Sequence, residues 1–147
     1  MNAILDIKGL RACLHGHDKN AYVIDRLDLT VEEGEVVALV GESGSGKSMT
    51  AYSILQLLPP AIRITEGNIL LGGNDVMKMD ERTLRQVRGT QASIVFQEPM
   101  TSLNPLMTIE RQIAEMLLIH GKATRKTAPA KVMELLELVR MPDARRR

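Results

Sequence analysis

The sequence predicts an α/β fold. Two segments with alternating apolar positions come first, and then residues 35–40 form a short, almost continuous apolar run. Alternation is typical of strands with one buried face, whereas an unbroken apolar run is typical of a strand buried on both faces. A glycine-rich stretch at 41–46 and a helical pattern follow that run. This order predicts a strand, a loop and a helix at the centre of the fold.

The two alternating segments are expected to form an antiparallel edge. They cover residues 4–10 and 22–31, and a polar loop at 15–20 joins them. Glu33-Gly34 is a turn signal, and the run at 35–40 after it is the candidate for the central strand.

The helical pattern at 47–58 is expected to end at Pro59-Pro60, because proline cannot continue a helix. A strand and turn are then predicted at 66–73. Asp80 is the expected N-cap of a short helix that leaves at Gly89, with Met79 and Leu84 placed for a hydrophobic staple.

The last part of the chain predicts one more buried strand and two helices. The strand is expected at 93–96. Thr108 is the expected N-cap of the first helix, which ends at His120 and Gly121. One apolar face is predicted on each helix. These faces are Ile109, Ile113, Met116 and Leu117 on the first helix and Val132, Leu135, Leu136 and Val139 on the second.

Composition and charge exclude several kinds of site and partner. The chain has 147 residues, 44% apolar and 25% charged, which predicts one ordinary folding unit. Cys13 is the only cysteine, so an internal disulfide and a zinc site of several thiolates are excluded. Residues 121–147 hold eight basic and three acidic residues, but the whole chain has only three aromatic side chains. Nucleic acid is therefore not an expected partner.

One sequence motif indicates a ligand-binding function. Residues 41–48 read Gly-Glu-Ser-Gly-Ser-Gly-Lys-Ser, the pattern of a phosphate-binding loop, and the context of strand before and helix after is the one that such a loop requires. Glycines let backbone N–H groups converge on phosphate oxygens. Lys47 is expected to reach the β and γ phosphates, and the Ser48 hydroxyl is a hard oxygen ligand for Mg²⁺. The fold class is thus refined to a phosphate-loop nucleotidase-type core.

Together with this loop, the segment Ile-Val-Phe-Gln-Glu-Pro-Met-Thr-Ser-Leu-Asn-Pro at 94–105 resembles the ATP-binding subunit of ATP-binding-cassette transporters, nearest to the dipeptide and oligopeptide importers. The resemblance covers residues 4–140 and implies ATP and Mg²⁺ as cofactors. Gln97 matches the glutamine that completes the Mg²⁺ shell or holds the attacking water. Tyr22 is a candidate for stacking on adenine, with a structural tyrosine as the alternative. The implied nucleotide-binding set is Gly41, Glu42, Ser43, Gly44, Ser45, Gly46, Lys47, Ser48, Met49 and Tyr22, and the implied Mg²⁺ ligands are Ser48 and Gln97.

The sequence departs from a complete cassette. It holds no Leu-Ser-Gly-Gly signature, no apolar strand ending in Asp-Glu and no switch histidine after the helices. The expectation is therefore an N-terminal fragment, with residues 1–97 as part of the ATP-binding core and 98–147 as the start of a helical subdomain. Such a chain carries no complete catalytic set, and we do not expect it to hydrolyse ATP alone. We also expect marginal stability or association, because apolar strands would lack partners.

The resemblance also implies partners and a location. These are transmembrane permease subunits, a second ATP-binding subunit and, indirectly, a solute-binding protein, with this chain peripheral on the cytoplasmic face of the membrane. Three alternatives stay open: a nickel or glutathione importer subunit, another phosphate-loop enzyme such as a small-molecule kinase, and a protein that binds nucleotide or a partner without hydrolysis.

Overall fold

A four-stranded antiparallel sheet is the framework of the first of two units into which the chain divides, Met1–Ser93 and Ile94–Arg147. The computed structural model describes residues 3–16, 21–96 and 103–142. The strands are β1 (Ala3–Leu14), β2 (Tyr22–Glu32), β3 (Ile62–Leu71) and β4 (Asn74–Asp75), in the order β2-β1-β3-β4. The helices of this unit are α1 (Lys47–Ile54) and α2 (Glu81–Val87), with a 3-10 turn at Val76–Lys78. The predicted antiparallel edge is confirmed.

A bulge in β1 determines which side chains of this strand face the core of the first unit. Leu5 and Ile7 are buried before it and Leu10 and Ala12 after it, so the buried positions change phase by one residue. The extra residue lies between Ile7 and Leu10 relative to β2. Gly9 lies there with φ +57°, and its N–H donates to Oδ1 of Asp28 at 2.6 Å. The bulge therefore keeps one face of β1 apolar along its whole length.

Gly67 on β3 faces the same bulge. Its φ is +90°, and a Cβ added to it would lie 2.6 Å from the carbonyl carbon and oxygen of Gly9 and from Cα of Leu10. Real Cβ atoms do not approach backbone so closely, and only glycine fits where two backbones meet in this way.

The predicted helix caps are confirmed. The side chain of Asp80 accepts the N–H of Thr83 at 2.8 Å, and Gly89 follows α2 with φ +86°. In the second unit Thr108 caps α3 (Ile109–Ile119) by accepting the N–H of Arg111 at 3.3 Å. Gly121 ends that helix with φ +64°. These helix caps depend only on residues that are close in the sequence, which is why they can be predicted from it.

The two predicted buried strands at 35–40 and 93–96 are wrong. Both segments lack regular secondary structure, and Val36, Val40 and Val95 are 95%, 92% and 97% exposed. A strand needs a neighbour to accept its backbone hydrogen bonds, and none of the described segments pairs with either one. The side chains of Val36, Val40 and Val95 consequently face solvent.

Other boundaries also differ from the predictions. The helix expected at 47–58 ends at Ile54, and Gln56 after it has φ +53°. The strand expected at 66–73 begins earlier, at Ile62, and ends at Leu71. The loop residues 17–20 lie outside the described residues.

The two helices of the second unit pack less than the sequence predicts. On α4 (Ala128–Leu138) Val132 and Leu136 are buried as predicted. Leu135 and Val139, however, are 40% and 67% exposed, because the contact with α3 covers only a narrow stripe of α4. Among residues 103–142 no side chain of α3 is buried. No described helix is both long and apolar enough to cross a bilayer.

Candidate phosphate-binding site

The glycine-rich loop leads directly into α1. Gly44 and Gly46 have φ of +83° and +88°, values that side chains rarely allow. Within the loop the N–H of Ser45 donates to the carbonyl oxygen of Glu42 at 3.2 Å, which closes a turn. Gly46 is the N-cap of α1 in a left-handed conformation. The loop therefore reaches the helix by a path that depends on these two glycines.

Gly46 also fixes the position of the loop against the sheet. A Cβ on Gly46 would lie 2.6 Å from the carbonyl oxygen of Val23, so the loop backbone approaches β2 closely at this point. On the helix side, the carbonyl oxygen of Gly46 accepts from Thr50 twice, from its N–H at 2.8 Å and its hydroxyl at 3.1 Å. Thr50 is buried. The end of the loop is thereby held from two directions.

Lys47 folds over the loop that precedes it. Its Nζ donates to the carbonyl oxygens of Gly41 and Glu42, both at 2.7 Å, and to Oγ of Ser45 at 3.2 Å. An ammonium has three donors, and all three lie within the span of the loop. The positive charge is therefore centred on the loop rather than extended into solvent.

The first turn of α1 favours an anion. None of the described side chains caps its N-terminus, and the turn contains no acidic residue. The first N–H groups of a helix lack partners within the helix and carry partial positive charge. With Lys47 beside them, these groups form a positive end to the helix that suits phosphate.

A cavity of about 340 Å³ lies against this end of the helix. Cavities of this volume are at the lower end of those that hold small ligands. Its lining residues are Val23, Gly44, Ser45, Gly46, Lys47, Ser48, Met49 and Ile62.

The structure thus brings most of the predicted loop residues together. Gly41 and Glu42 join the cluster through Lys47, while Ser43 is exposed on the loop. Tyr22 is not among the residues that line the cavity, and its ring lies under the guanidinium of Arg11, 5.0 Å from Cζ to the ring centroid. Gln97 lies outside the described residues.

Ser48 fits the Mg²⁺ role implied for it. Its side chain is exposed at the cavity, one residue from the Lys47 ammonium. Within the described ranges no group of three or more His, Cys, Asp and Glu side chains forms a protein cage for a metal. Mg²⁺ commonly binds phosphates with only one or two protein oxygens, so a single hydroxyl in this place suits it.

Three residues that position or line the site were missed from the sequence. Val23 and Ile62 line the cavity from β2 and β3, and only the pairing of the strands brings them there. Arg88 holds the carbonyl end of α1 by donating to the carbonyl oxygens of Leu55 at 2.9 Å and Gln56 at 3.1 Å. No periodicity or spacing signals such a contact across more than thirty residues.

Comparison with known proteins places this site in context. The ABC transporter family model matches residues 24–147. Over 98% of its length the chain is 47% identical to a putative peptide import ATP-binding protein of Brucella ovis, and it spans 44% of that protein. Over 96% of its length it is 42% identical to a probable D,D-dipeptide transport ATP-binding protein of Escherichia coli, and it spans 43% of that protein.

A solved structure shows the same fold. It is a post-hydrolysis dimer of an ATP-binding cassette bound to ADP and Pi, with a TM-score of 0.74 and 23% identity. The match covers 95% of this chain and 58% of that one. The predicted α/β class is confirmed, and the chain covers part of such a cassette.

Proposed function

The chain belongs to the ABC transporter family, and from that premise we propose that its loop at 41–48 binds the phosphates of ATP. The observation that carries the proposal is the position of the Lys47 ammonium. It lies over the loop carbonyls, next to the uncapped first turn of α1 and at a cavity. Positive charge, free N–H donors and space for a ligand meet there, and polyphosphates are the anions that this combination suits.

Different residues of the loop are assigned to different parts of the ligand. The backbone N–H groups from Gly44 to Ser48 would bind the β phosphate, because glycines leave no side chain in the way. The Lys47 ammonium exchanges its longest contact, to Oγ of Ser45 at 3.2 Å, for an oxygen of the β or γ phosphate. Ser48 would hold Mg²⁺ through its hydroxyl oxygen, and the ion would supply positive charge that neutralises the phosphates. Gln97 would supply a second oxygen to the same ion or hold the attacking water.

For the whole protein we propose a role in peptide import. Relatives at 47% and 42% identity are named for transport of peptides and of D,D-dipeptides, and this supports di- and oligopeptides as the imported class. ATP binding and hydrolysis would then be coupled to transmembrane permease subunits from the cytoplasmic face, together with a second ATP-binding subunit. Nickel and glutathione remain alternatives for the imported substrate.

The phosphate-binding role is tested by Lys47→Ala. Calorimetric titration with ATP and Mg²⁺ should show affinity about a hundredfold lower than for the unaltered chain, as expected when charge-assisted hydrogen bonds are lost. The matched control is Lys78→Ala, which removes an 83% exposed lysine outside the loop. It should leave the affinity unchanged. Equal affinity in the Lys47→Ala variant and the unaltered chain would overturn the proposal.

The transport role is tested in cells that depend on the importer for peptides. The same Lys47→Ala change, made in the whole protein, should abolish growth on dipeptides and tripeptides as sole source of a required amino acid. Intact peptide uptake combined with loss of nickel or glutathione uptake would replace the peptide assignment by one of those substrates.

A further inference from the structure

A basic segment joins the two helices of the second unit. Residues 116–133 contain four basic residues and no acidic residue. The four basic residues, which we call the basic cluster, are Lys122, Arg125, Lys126 and Lys131. The net charge of the whole chain is only +1, so the positive charge of the cluster is balanced elsewhere in the sequence and not beside it.

The turn between α3 and α4 gathers the cluster at one end of the helix pair. Thr124 and Thr127 fix this turn, because the hydroxyl oxygen of each accepts the backbone N–H of the other, at 3.3 and 3.0 Å. From α4 the ammonium of Lys131 donates to the carbonyl oxygen of Lys122. The other two basic residues lie within the turn itself. Four positive charges are therefore held on one surface of the second unit.

The cluster is exposed, and no carboxylate of the described residues pairs with it. All four of its residues are exposed. The ion pairs among the described residues lie in the first unit, where for example Arg11 and Arg88 contact carboxylates at 2.9 and 2.8 Å. Holding like charges close together costs free energy. An anionic partner would remove that cost, so the cluster has the character of an interaction surface.

An exposed apolar side chain accompanies the cluster. Ile119, the last residue of α3, is 65% exposed and lies three positions before Lys122. The N–H of Lys122 donates to the carbonyl oxygen of Leu117 at 2.8 Å, which holds the start of the basic segment against the end of α3. Basic side chains beside exposed apolar ones are typical of surfaces that lie on the headgroup region of a membrane.

We propose that the basic cluster binds the anionic headgroups of a phospholipid bilayer. This assignment rests on the proposed importer role, which brings the chain to the cytoplasmic face of a membrane. Lipids there carry negative charge that attracts Lys and Arg. Three of the four residues are lysines, whose flexible point charges suit a diffuse anionic surface better than a fixed carboxylate. Residues 97–147 contain no aromatic residue that could stack on bases, so nucleic acid is not favoured.

The test is co-sedimentation of the full chain with two kinds of vesicle, phosphatidylcholine alone and phosphatidylcholine mixed with an equal part of phosphatidylglycerol. We expect binding to the anionic vesicles only, and weaker binding as salt screens the charges. Removing three charges should lower the partition coefficient about a hundredfold, since each contributes about fivefold. Lys131 is kept because it holds the turn. The variant carries Lys122→Gln, Arg125→Gln and Lys126→Gln.

Two further variants make the result specific. One removes the same charge from exposed positions of the first unit, by Arg63→Gln, Lys78→Gln and Arg82→Gln. Its partition coefficient should stay within about twofold of that of the unaltered chain. The other keeps the charge of the cluster and changes its side chains, by Lys122→Arg, Arg125→Lys and Lys126→Arg. It should bind like the unaltered chain, because attraction to a bilayer depends on charge rather than on side-chain geometry.

Three outcomes would overturn the membrane surface. Equal loss of binding in the two charge-removing variants would show that net charge alone is responsible. Loss of binding in the charge-conserving variant would indicate a partner that requires exact side-chain geometry. Binding of poly-glutamate without binding of anionic vesicles would replace the bilayer by an acidic polypeptide.

Lys47→Ala separates this inference from the proposed function. The variant should bind anionic vesicles like the unaltered chain while its affinity for ATP falls. Unchanged affinity for ATP would count against the phosphate-binding role alone. Absence of vesicle binding in the unaltered chain would count against the membrane surface alone.

Discussion

Gln112 and Asn104 exchange two hydrogen bonds through one side chain. Oε1 of Gln112 accepts the backbone N–H of Asn104 at 2.8 Å, and its Nε2 donates to the carbonyl oxygen of the same residue at 3.0 Å. Paired antiparallel strands use the same two groups. Nε2 also donates to the carbonyl oxygen of Met107 at 3.1 Å. Gln112, at the end of the first turn of α3, thereby holds the loop that precedes the helix.

Gln112→Leu should release this loop. The N–H of Asn104 loses its acceptor, so we expect its hydrogen exchange to become about tenfold faster, equivalent to the loss of a typical hydrogen bond. Amide exchange followed by NMR measures this directly. Glu115→Gln, at an exposed position of the same helix, should leave exchange at Asn104 unchanged. Equal exchange in Gln112→Leu would show that the loop holds its conformation by other contacts.

Gly46→Ala should destabilise the first unit more than Gly44→Ala. Both glycines have φ above +80°, so each substitution costs about 1 kcal/mol of backbone strain. Only at Gly46 does the new Cβ meet backbone, 2.6 Å from the carbonyl oxygen of Val23, whereas the space around Gly44 is open. Urea denaturation should give at least twice the loss of unfolding free energy for Gly46→Ala. Similar losses would mean that β2 yields easily at Val23.

Arg88→Lys should weaken the link between α1 and α2. The guanidinium donates to the carbonyl oxygens of Leu55 and Gln56 and to the carboxylate of Glu81, and a lysine ammonium cannot reproduce that planar fork. We expect a loss of about 1.5 kcal/mol of unfolding free energy. Arg85→Lys is the matched control, because Arg85 is 75% exposed and lies 3.5 Å from the same Glu81. Its unfolding free energy should stay within about 0.5 kcal/mol of the unaltered chain.

Acid should weaken the cap of α2. Hydrogen bonds from Thr83, from its side chain and then from its backbone N–H, hold the pKa of Asp80 below its ordinary value of 3.8. The charged form is therefore favoured in the folded chain. Its contribution to stability is complete above pH 3.8 and is lost as the pH falls through the lower folded pKa.

Asp80→Asn isolates that contribution, because asparagine caps a helix equally well and does not titrate. The decrease in thermal midpoint from a pH above 3.8 to a pH below 3.8 should be smaller for this variant than for the unaltered chain. Asp6 and Asp75 also have lowered pKa values, so part of the acid loss should persist. Identical slopes for variant and unaltered chain would remove Asp80 as a source of acid sensitivity.

Val36→Lys should reduce self-association. Val36 and Val40 are almost fully exposed in a segment without regular structure, and exposed apolar segments of this kind promote contact between chains. Sedimentation velocity should show monomers at higher protein concentration for the variant. Gln91→Lys adds the same charge at an exposed polar position and should not change the distribution. Equal association in both variants would point to a contact elsewhere on the chain.

The features that the sequence predicted correctly depend on neighbours along the chain. Thr108 and Asp80 were recognisable as caps because each bonds a residue three positions later. The loop at 41–48 is also local, since Lys47 contacts the carbonyl oxygens of Gly41 and Glu42. The segment 35–40 failed for the opposite reason. The apolar residues of this segment indicate that it favours a buried position. Whether it forms a strand depends on a pairing partner, and the local pattern carries no information about that partner.

The residues that line the cavity from the sheet show the same limit. Ile62 and Val23 are 39 positions apart and meet the loop only through the order of the strands. A motif search finds Lys47, because the glycines and the serine that define the motif lie beside it in the sequence. It does not find lining residues that become neighbours only after folding.

The contact between Gly67 and Gly9 has a genetic consequence. Every base change in a glycine codon that gives another amino acid adds at least a Cβ, and at Gly67 any Cβ would lie 2.6 Å from the backbone of Gly9 and Leu10. No missense mutation there is sterically mild, whereas at Gly72 a new Cβ would meet open space. Substitutions at Gly67 should therefore be strongly depleted among the folded variants of a random mutagenesis library, and substitutions at Gly72 should be depleted less.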